Sequence, residues 1–187
     1  MSTISLPGAA RRTAGLARRH KVITAVTALF IAAIIAVSLA TSGSPAPNYP
    51  AAATFKLPVL GDTGKQLSLS QYAGKPVIVN FFASWCEPCQ TETPLLANWY
   101  TQQHGKVALV GLDENDTTAN AQKFLTAKGV SYPIGFDPAT VAASAYGVTA
   151  LPQTFFLNAQ HRIVDHLYGA VTKAELAEGI SLMNASG

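Results

Sequence analysis

Only two cysteines occur in the 187-residue chain, and they stand two residues apart in Trp85-Cys86-Glu87-Pro88-Cys89. A cross-link over so short a loop stabilises a fold little, because the gain from loop closure grows with loop length. The spacing suits chemistry instead. A helix that begins at the first cysteine brings the two sulfurs together, and its free amides and positive dipole end favour a thiolate there. Cys86 is then the nucleophile and Cys89 the resolving thiol. Pro88 fits the first helical turn, where a missing N–H costs nothing. Glu87 puts a negative charge beside the thiolate and modestly opposes the lowering of its pKa. Trp85 is expected to shield the pair and, with Pro88, to face a docking partner.

Other thiol chemistries need residues that the pattern does not supply. A C-x-x-C metal site usually draws on two further ligands. His104, His161 and His166 stand at no characteristic spacing from the pair, and no third cysteine exists. A copper-binding chaperone would combine both thiolates with a histidine. A thiol peroxidase would set an arginine beside its reactive cysteine, whereas the only arginine after position 21 is Arg162, in an expected turn far along the chain. Disulfide exchange is the favoured chemistry, with no metal and no cofactor.

The elements that must hold this pair can be read around it. Pro76 to Ala83 (PVIVNFFA) is a nearly continuous apolar run, as in a strand covered on both faces, and Val107 to Leu112 (VALVGL) is a second. Between them, Leu95, Leu96, Trp99 and Tyr100 recur at helical spacing within Glu87 to His104. Strand, helix, strand implies a parallel pair. Helices are expected over Thr118 to Lys128, closed by Gly129, and over Pro138 to Tyr146, closed by Gly147. Thr154 to Asn158 and Ile163 to Tyr168 read as a hairpin about Ala159-Gln160-His161-Arg162. Thr172 with Glu175 opens a last helix to Met183 as a capping box. Gln66 to Ser70, after Gly61-Asp62-Thr63-Gly64, suggests a short edge hairpin.

Composition divides the chain. Charged residues make up 12% of it, against about 25% in an ordinary soluble domain. Five of the 13 basic residues precede position 22 and all 10 acidic residues lie at Asp62 or later, so the head carries +5 and the remainder −2. A mildly acidic remainder argues against a nucleic-acid surface, which needs clustered Lys and Arg. Residues 22–40 hold 19 positions without a charge, and at about 1.5 Å per residue such a helix spans roughly 30 Å of hydrocarbon. The basic cluster at 1–21 orients it with the N-terminus in the cytoplasm. The run exceeds a usual secretory core, which favours a retained signal-anchor in the cytoplasmic membrane over cleavage near Ser38-Leu39-Ala40 and release as a secreted protein. Residues 41–53, with three prolines and no charge, read as a tether, and 54–187 as one extracytoplasmic domain. An oxidising compartment would convert the close thiols to a disulfide.

With those residues in place, the run FKLPVLGDTGKQLSLSQYAGKPVIVNFFASWCEPCQTETPLL from Phe55 to Leu96, followed by Leu151-Pro152-Gln153-Thr154, resembles the thiol-disulfide oxidoreductases of the TlpA/ResA/DsbE type. The resemblance implies an α/β thioredoxin fold, a central mixed β-sheet flanked by helices with an N-terminal β-hairpin extension, here preceded by one transmembrane helix. It implies that Pro152 is the cis-proline facing the disulfide, with the Leu151 backbone free to pair with an extended substrate beside Cys86. It implies that Glu92, one helical turn after Cys89, transfers protons at the site. Asn80 departs from thioredoxin itself, which carries a buried acid there, and Gln153 stands where many relatives have Thr. The partners implied are protein thiols or disulfides, apocytochrome c or exported proteins, together with a membrane electron donor or acceptor. Reduction of haem-attachment cysteines in cytochrome c maturation is favoured over oxidation of folding exported proteins.

Overall fold

The computed structural model describes Ile31, residues 47–103 and residues 105–187. The expected span at 22–40, Ile31 aside, and His104 lie outside the described residues. No helix among the described residues is long and apolar enough to cross a membrane.

Among the described residues from 47 onward, seven strands and four α-helices follow one another as β1 (Lys56–Val59), β2 (Asp62–Ser68), β3 (Val77–Phe82), α1 (Glu87–Gln102), β4 (Ala108–Glu114), α2 (Thr118–Ala127), β5 (Ile134–Asp137), α3 (Val141–Tyr146), β6 (Gln153–Leu157), β7 (Ile163–Tyr168) and α4 (Lys173–Ala185), with a 3-10 turn at Leu69–Tyr72. The strands form one mixed sheet in the order β2-β1-β5-β4-β3-β6-β7. β3, β4 and β5 run parallel, and β6 and β7 turn antiparallel beside β3. This is the expected thioredoxin-like arrangement with its N-terminal hairpin.

The apolar run of β3 is buried at all six positions, because alternate side chains feed two cores. Ile78 and Phe82 meet Leu96 of α1, Phe124 of α2 and Leu176 and Met183 of α4 on one face. Val77, Val79 and Phe81 meet Ala142 and Ala143 of α3 and Leu57 and Leu67 of the hairpin on the other. Gly179 of α4 lies so close to the Phe156 ring that a Cβ there would overlap it.

Several expectations change in detail. The hairpin turns at Leu60-Gly61, not at Gly61-Gly64, because β2 already begins at Asp62 and pairs back onto β1. β5 is an additional strand, made by pairing with β4 from Gly111↔Ile134 to Glu114↔Asp137. The helix expected from Pro138 begins at Val141, since the Asp137 carboxylate accepts the Val141 and Ala143 N–H groups at 2.8 and 3.0 Å and so caps it from outside. α4 begins with the Thr172–Glu175 capping box. Ahead of Thr54, Ala51 bridges to Arg162, and the Tyr49 carbonyl accepts from Arg162 Nη1 at 3.2 Å.

Candidate active site

β3 and α1 are joined by Ala83-Ser84-Trp85-Cys86 at the carboxyl end of the parallel strands, where α/β sheets leave room for chemistry. Cys86 is the N-cap of α1, and its Sγ accepts the Cys89 N–H at 3.2 Å. The helix start therefore directs one amide hydrogen, that of Cys89, at the first sulfur. Cys86 and Cys89 are joined as a disulfide, with Cα atoms 5.2 Å apart. Cys86 keeps 5% of its surface exposed and Cys89 none, so an incoming partner meets Cys86 first. Glu87 and Pro88 are exposed beside it.

Trp85 is 58% exposed beside Cys86 in the chain. It is held by its indole N–H, which donates to the Asn115 carbonyl at 3.0 Å. The Asp116 carboxylate accepts the Ser84 N–H at 2.7 Å, and Gln90 Nε2 donates to the Ser84 carbonyl at 2.9 Å. The β4–α2 loop and the first turn of α1 thus grip the active-site loop from two sides.

Glu92 is buried, and its carboxylate spans three elements. Oε1 accepts from Asn80 Nδ2 of β3 at 2.8 Å, and Oε2 accepts from the Val171 N–H before α4 at 2.7 Å. Asn80 Nδ2 also donates to Thr154 Oγ1 at 3.0 Å, matching the Asn80↔Thr154 register of β3 and β6. Burial pushes the Glu92 carboxyl up to about 7, against the lowering effect of the Val171 and Asn80 donors. Such a group exchanges protons near neutral pH.

The Leu151–Pro152 peptide is cis. Antiparallel pairing of β6 with β3, through Phe81↔Gln153, brings this loop to the same sheet end as Cys86. Gly169 N–H donates to the Pro152 carbonyl at 2.9 Å, fastening the loop to the end of β7. Of the sequence-derived residues, Trp85, Cys86, Pro88, Cys89, Leu151 and Pro152 gather at this end, and Glu92 lies beneath on α1. Arg162 is in the β6–β7 turn at the opposite end of β6 from Pro152. His161 Nε2 lies 3.1 Å from the Tyr72 carbonyl and His166 Nε2 lies 2.9 Å from Gln153 Oε1. Among the described residues, no group of three or more His, Cys, Asp or Glu side chains converges to hold a metal.

Asp113 escaped sequence reasoning. It lies one residue before the end of β4, in register with Phe82, and is fully buried; neither of its carboxylate oxygens receives a hydrogen bond, and only when protonated can it share one with the Asp116 carboxylate. Burial, reinforced by the neighbouring Asp116 charge, pushes its carboxyl up to about 8. The available signal was an acid closing the apolar run VALVGL at a strand's carboxyl end.

Residues 48–166 match the AhpC/TSA family. The chain is 32% identical over 145 residues to the thiol-disulfide oxidoreductase ResA of Bacillus subtilis (strain 168), covering 76% of both chains. Among solved structures it is similar to a DsbF homologue from Corynebacterium diphtheriae, with TM-score 0.66 and 25% identity over 75% of this chain and 94% of that one. A thiol:disulfide interchange protein DsbE from Chlorobium tepidum, with TM-score 0.65 and 24% identity over 76% and 100% of the two chains, shares the fold.

Proposed function

The chain belongs to the AhpC/TSA family of thioredoxin-fold proteins and is a thiol-disulfide oxidoreductase of the ResA/DsbE type, and from that premise we propose that it carries electron pairs to extracytoplasmic protein partners while anchored in the cytoplasmic membrane by residues 22–40. The observation that carries the reading is Glu92, a buried proton acceptor one helical turn from the resolving Cys89, titrating at about 7.

In the reductive direction the reduced pair begins as a Cys86 thiolate and a Cys89 thiol. The thiolate attacks a partner disulfide; a Cys86–partner bond forms, the partner's S–S bond breaks, and one partner sulfur leaves as thiolate. Glu92 takes the Cys89 proton. The Cys89 thiolate then attacks Cys86 Sγ, the Cys86–Cys89 disulfide forms, and the second partner sulfur leaves. The partner gains two electrons, and its thiolates take up protons, one of which Glu92 can return. A membrane electron donor must then reduce Cys86–Cys89. Leu151 and Trp85 supply the docking surface, and Pro152 closes it.

Reduction of haem-attachment cysteines is the assigned use, supported by the Glu-Pro dipeptide between the cysteines. Cys89→Ala in the full chain should accumulate partners linked through Cys86, to be identified after trapping of cells with acid. Absence of any such adduct would remove the exchange mechanism. An equilibrium potential against glutathione near the reducing end of the roughly −270 to −120 mV range supports the reductive direction, and one near the oxidising end assigns the chain to oxidation of exported proteins.

A further inference from the structure

Gln153 is a long polar side chain with 1% of its surface exposed, and the exchange mechanism makes no use of it. Its amide nitrogen donates to the Ala150 carbonyl at 3.0 Å. That carbonyl can only accept, which fixes the amide orientation and leaves Oε1 facing His166 Nε2 at 2.9 Å. His166 Nε2 must therefore carry the proton. The imidazole is itself fixed from two sides. It stacks on Phe155 with centroids 3.8 Å apart and planes 16° from parallel, and Tyr168 lies against it at 4.2 Å.

The two carbonyls that flank Leu151 are both occupied, Ala150 by Gln153 Nε2 and Pro152 by the Gly169 N–H. Leu151 between them is the residue whose backbone is assigned to an incoming peptide. We propose that His166 and Gln153 form a side-chain relay that sets the Ala150–Pro152 loop for polypeptide substrates, so that both are positioning residues for protein exchange and neither serves the thiol chemistry. The inference rests on the docking role given to Leu151 above.

The physical basis is the loss of the partner that holds each polar group in place. Removing the Gln153 amide leaves the Ala150 carbonyl without its donor, and removing His166 leaves Gln153 Oε1 without one. The Gln153 Oε1 left without its donor would be buried, whereas the Ala150 carbonyl, at the exposed end of the loop, would be freed from Gln153 and could turn toward water or another donor. Leu151 would shift with it. Cys86 at the start of α1 and Glu92 beneath would stay where they are, since neither touches Gln153 or His166 among the hydrogen bonds described above.

The test compares a macromolecular with a small disulfide, using full-length reduced protein in detergent. Gln153→Met and His166→Phe should each lower the second-order rate constant for insulin reduction about tenfold, the equivalent of one lost hydrogen bond. The rate with hydroxyethyl disulfide, which needs no backbone docking, should stay within about twofold of the parent on the same reasoning. Gln153→Thr serves if Gln153→Met does not fold, and His166→Gln, which restores an N–H donor, should recover part of the insulin rate. Equal losses on both disulfides, or no loss on either, overturn the relay. If Cys89→Ala forms Cys86-linked insulin adducts while Gln153→Met leaves the insulin rate intact, the relay alone is wrong. If Cys89→Ala forms no adduct, the docking reading fails and the relay falls with it.

Discussion

Glu92 and Asp113 are both buried carboxyls near the carboxyl ends of the central strands, one on α1 beneath the disulfide and the other on β4 beneath the loop that carries Trp85. They differ in what meets their oxygens. Glu92 receives donors from Asn80 and Val171, whereas Asp113 receives none. Burial raises both, but the donors offset part of it for Glu92, leaving it at about 7 while Asp113 reaches about 8. The difference teaches how one protein can use two acids of like burial differently. A buried carboxyl with donors can accept a proton at neutral pH, whereas one without donors, beside another carboxylate, stays protonated there and acts as neutral packing.

The largest expected effect separates the two by activity. Glu92→Gln keeps an acceptor for one donor but cannot take the Cys89 proton, so insulin reduction at pH 7.5 should fall on the order of a hundredfold, the lower end for loss of a general base. The parent rate should rise with pH through about 7, and the variant should lose that inflection. Asp113→Asn should leave the inflection in place. An unchanged profile in Glu92→Gln would transfer the role elsewhere.

Stability should show the reverse ordering. For a carboxyl whose folded pKa lies above its unfolded value, the stability it confers is fully present below the unfolded pKa and is lost as pH rises through the folded one. For Asp113 that window runs from its ordinary value of 3.8 to about 8, and for Glu92 from 4.5 to about 7. The parent should therefore become easier to denature between pH 4 and 8 and level off above. Asp113→Asn should remove much of that loss and be more stable than the parent at pH 9 by on the order of a few kcal/mol. Urea midpoints at pH 5, 7 and 9 measure this; parallel curves for the two proteins would show that Asp113 is not the buried acid described.

These contrasts also mark where the sequence was legible. Cys86, Cys89, Pro88 and the Thr172–Glu175 box were readable because each depends on residues within one helical turn. β3 was readable because burial on both faces demands an unbroken apolar run. β5 was not, since Ile134-Gly135-Phe136-Asp137 has too few residues for a period and becomes a strand only by pairing with β4. The burial of Asp113 and the meeting of Gln153 with His166 depend on strand register across the sheet, and that register is tertiary information. Glu92 lay between these cases: its turn after Cys89 was local, but the Asn80 and Val171 donors that tune it were not.

A smaller effect should come from Asn80→Leu, which removes one of the two donors to Glu92 and leaves the Val171 N–H. The Glu92 carboxyl should rise further above 7, and because a hydrogen bond to a charged group is worth about 1.5–3 kcal/mol, the inflection in the rate profile should move up by roughly one to two pH units. Activity at pH 7 then drops several-fold while activity at pH 9 approaches the parent's. Thr154, which shares the Asn80 amide but does not touch Glu92, should be replaceable by Val without moving the inflection.

The smallest change tests why Asp113 titrates above Glu92. Asp116 adds its charge to the burial of Asp113 and also accepts the Ser84 N–H. Asp116→Asn can keep its oxygen on the Ser84 N–H, and it removes the charge together with the oxygen that accepts the Thr117 N–H at 2.6 Å. Asp113 should then ionise at a lower pH, because burial and the Glu114 charge act without the Asp116 charge, and the fall in stability should end earlier and be smaller. At about 1 kcal/mol or less for a charge pair of this kind, the gain at pH 9 should be a fraction of that from Asp113→Asn. It should also vanish in the double variant, since a charge at Asp116 has no carboxylate left to oppose. Equal gains from Asp116→Asn with and without Asp113 would instead place its effect on the Ser84 loop, and Trp85 fluorescence across the same pH range would show that loop moving.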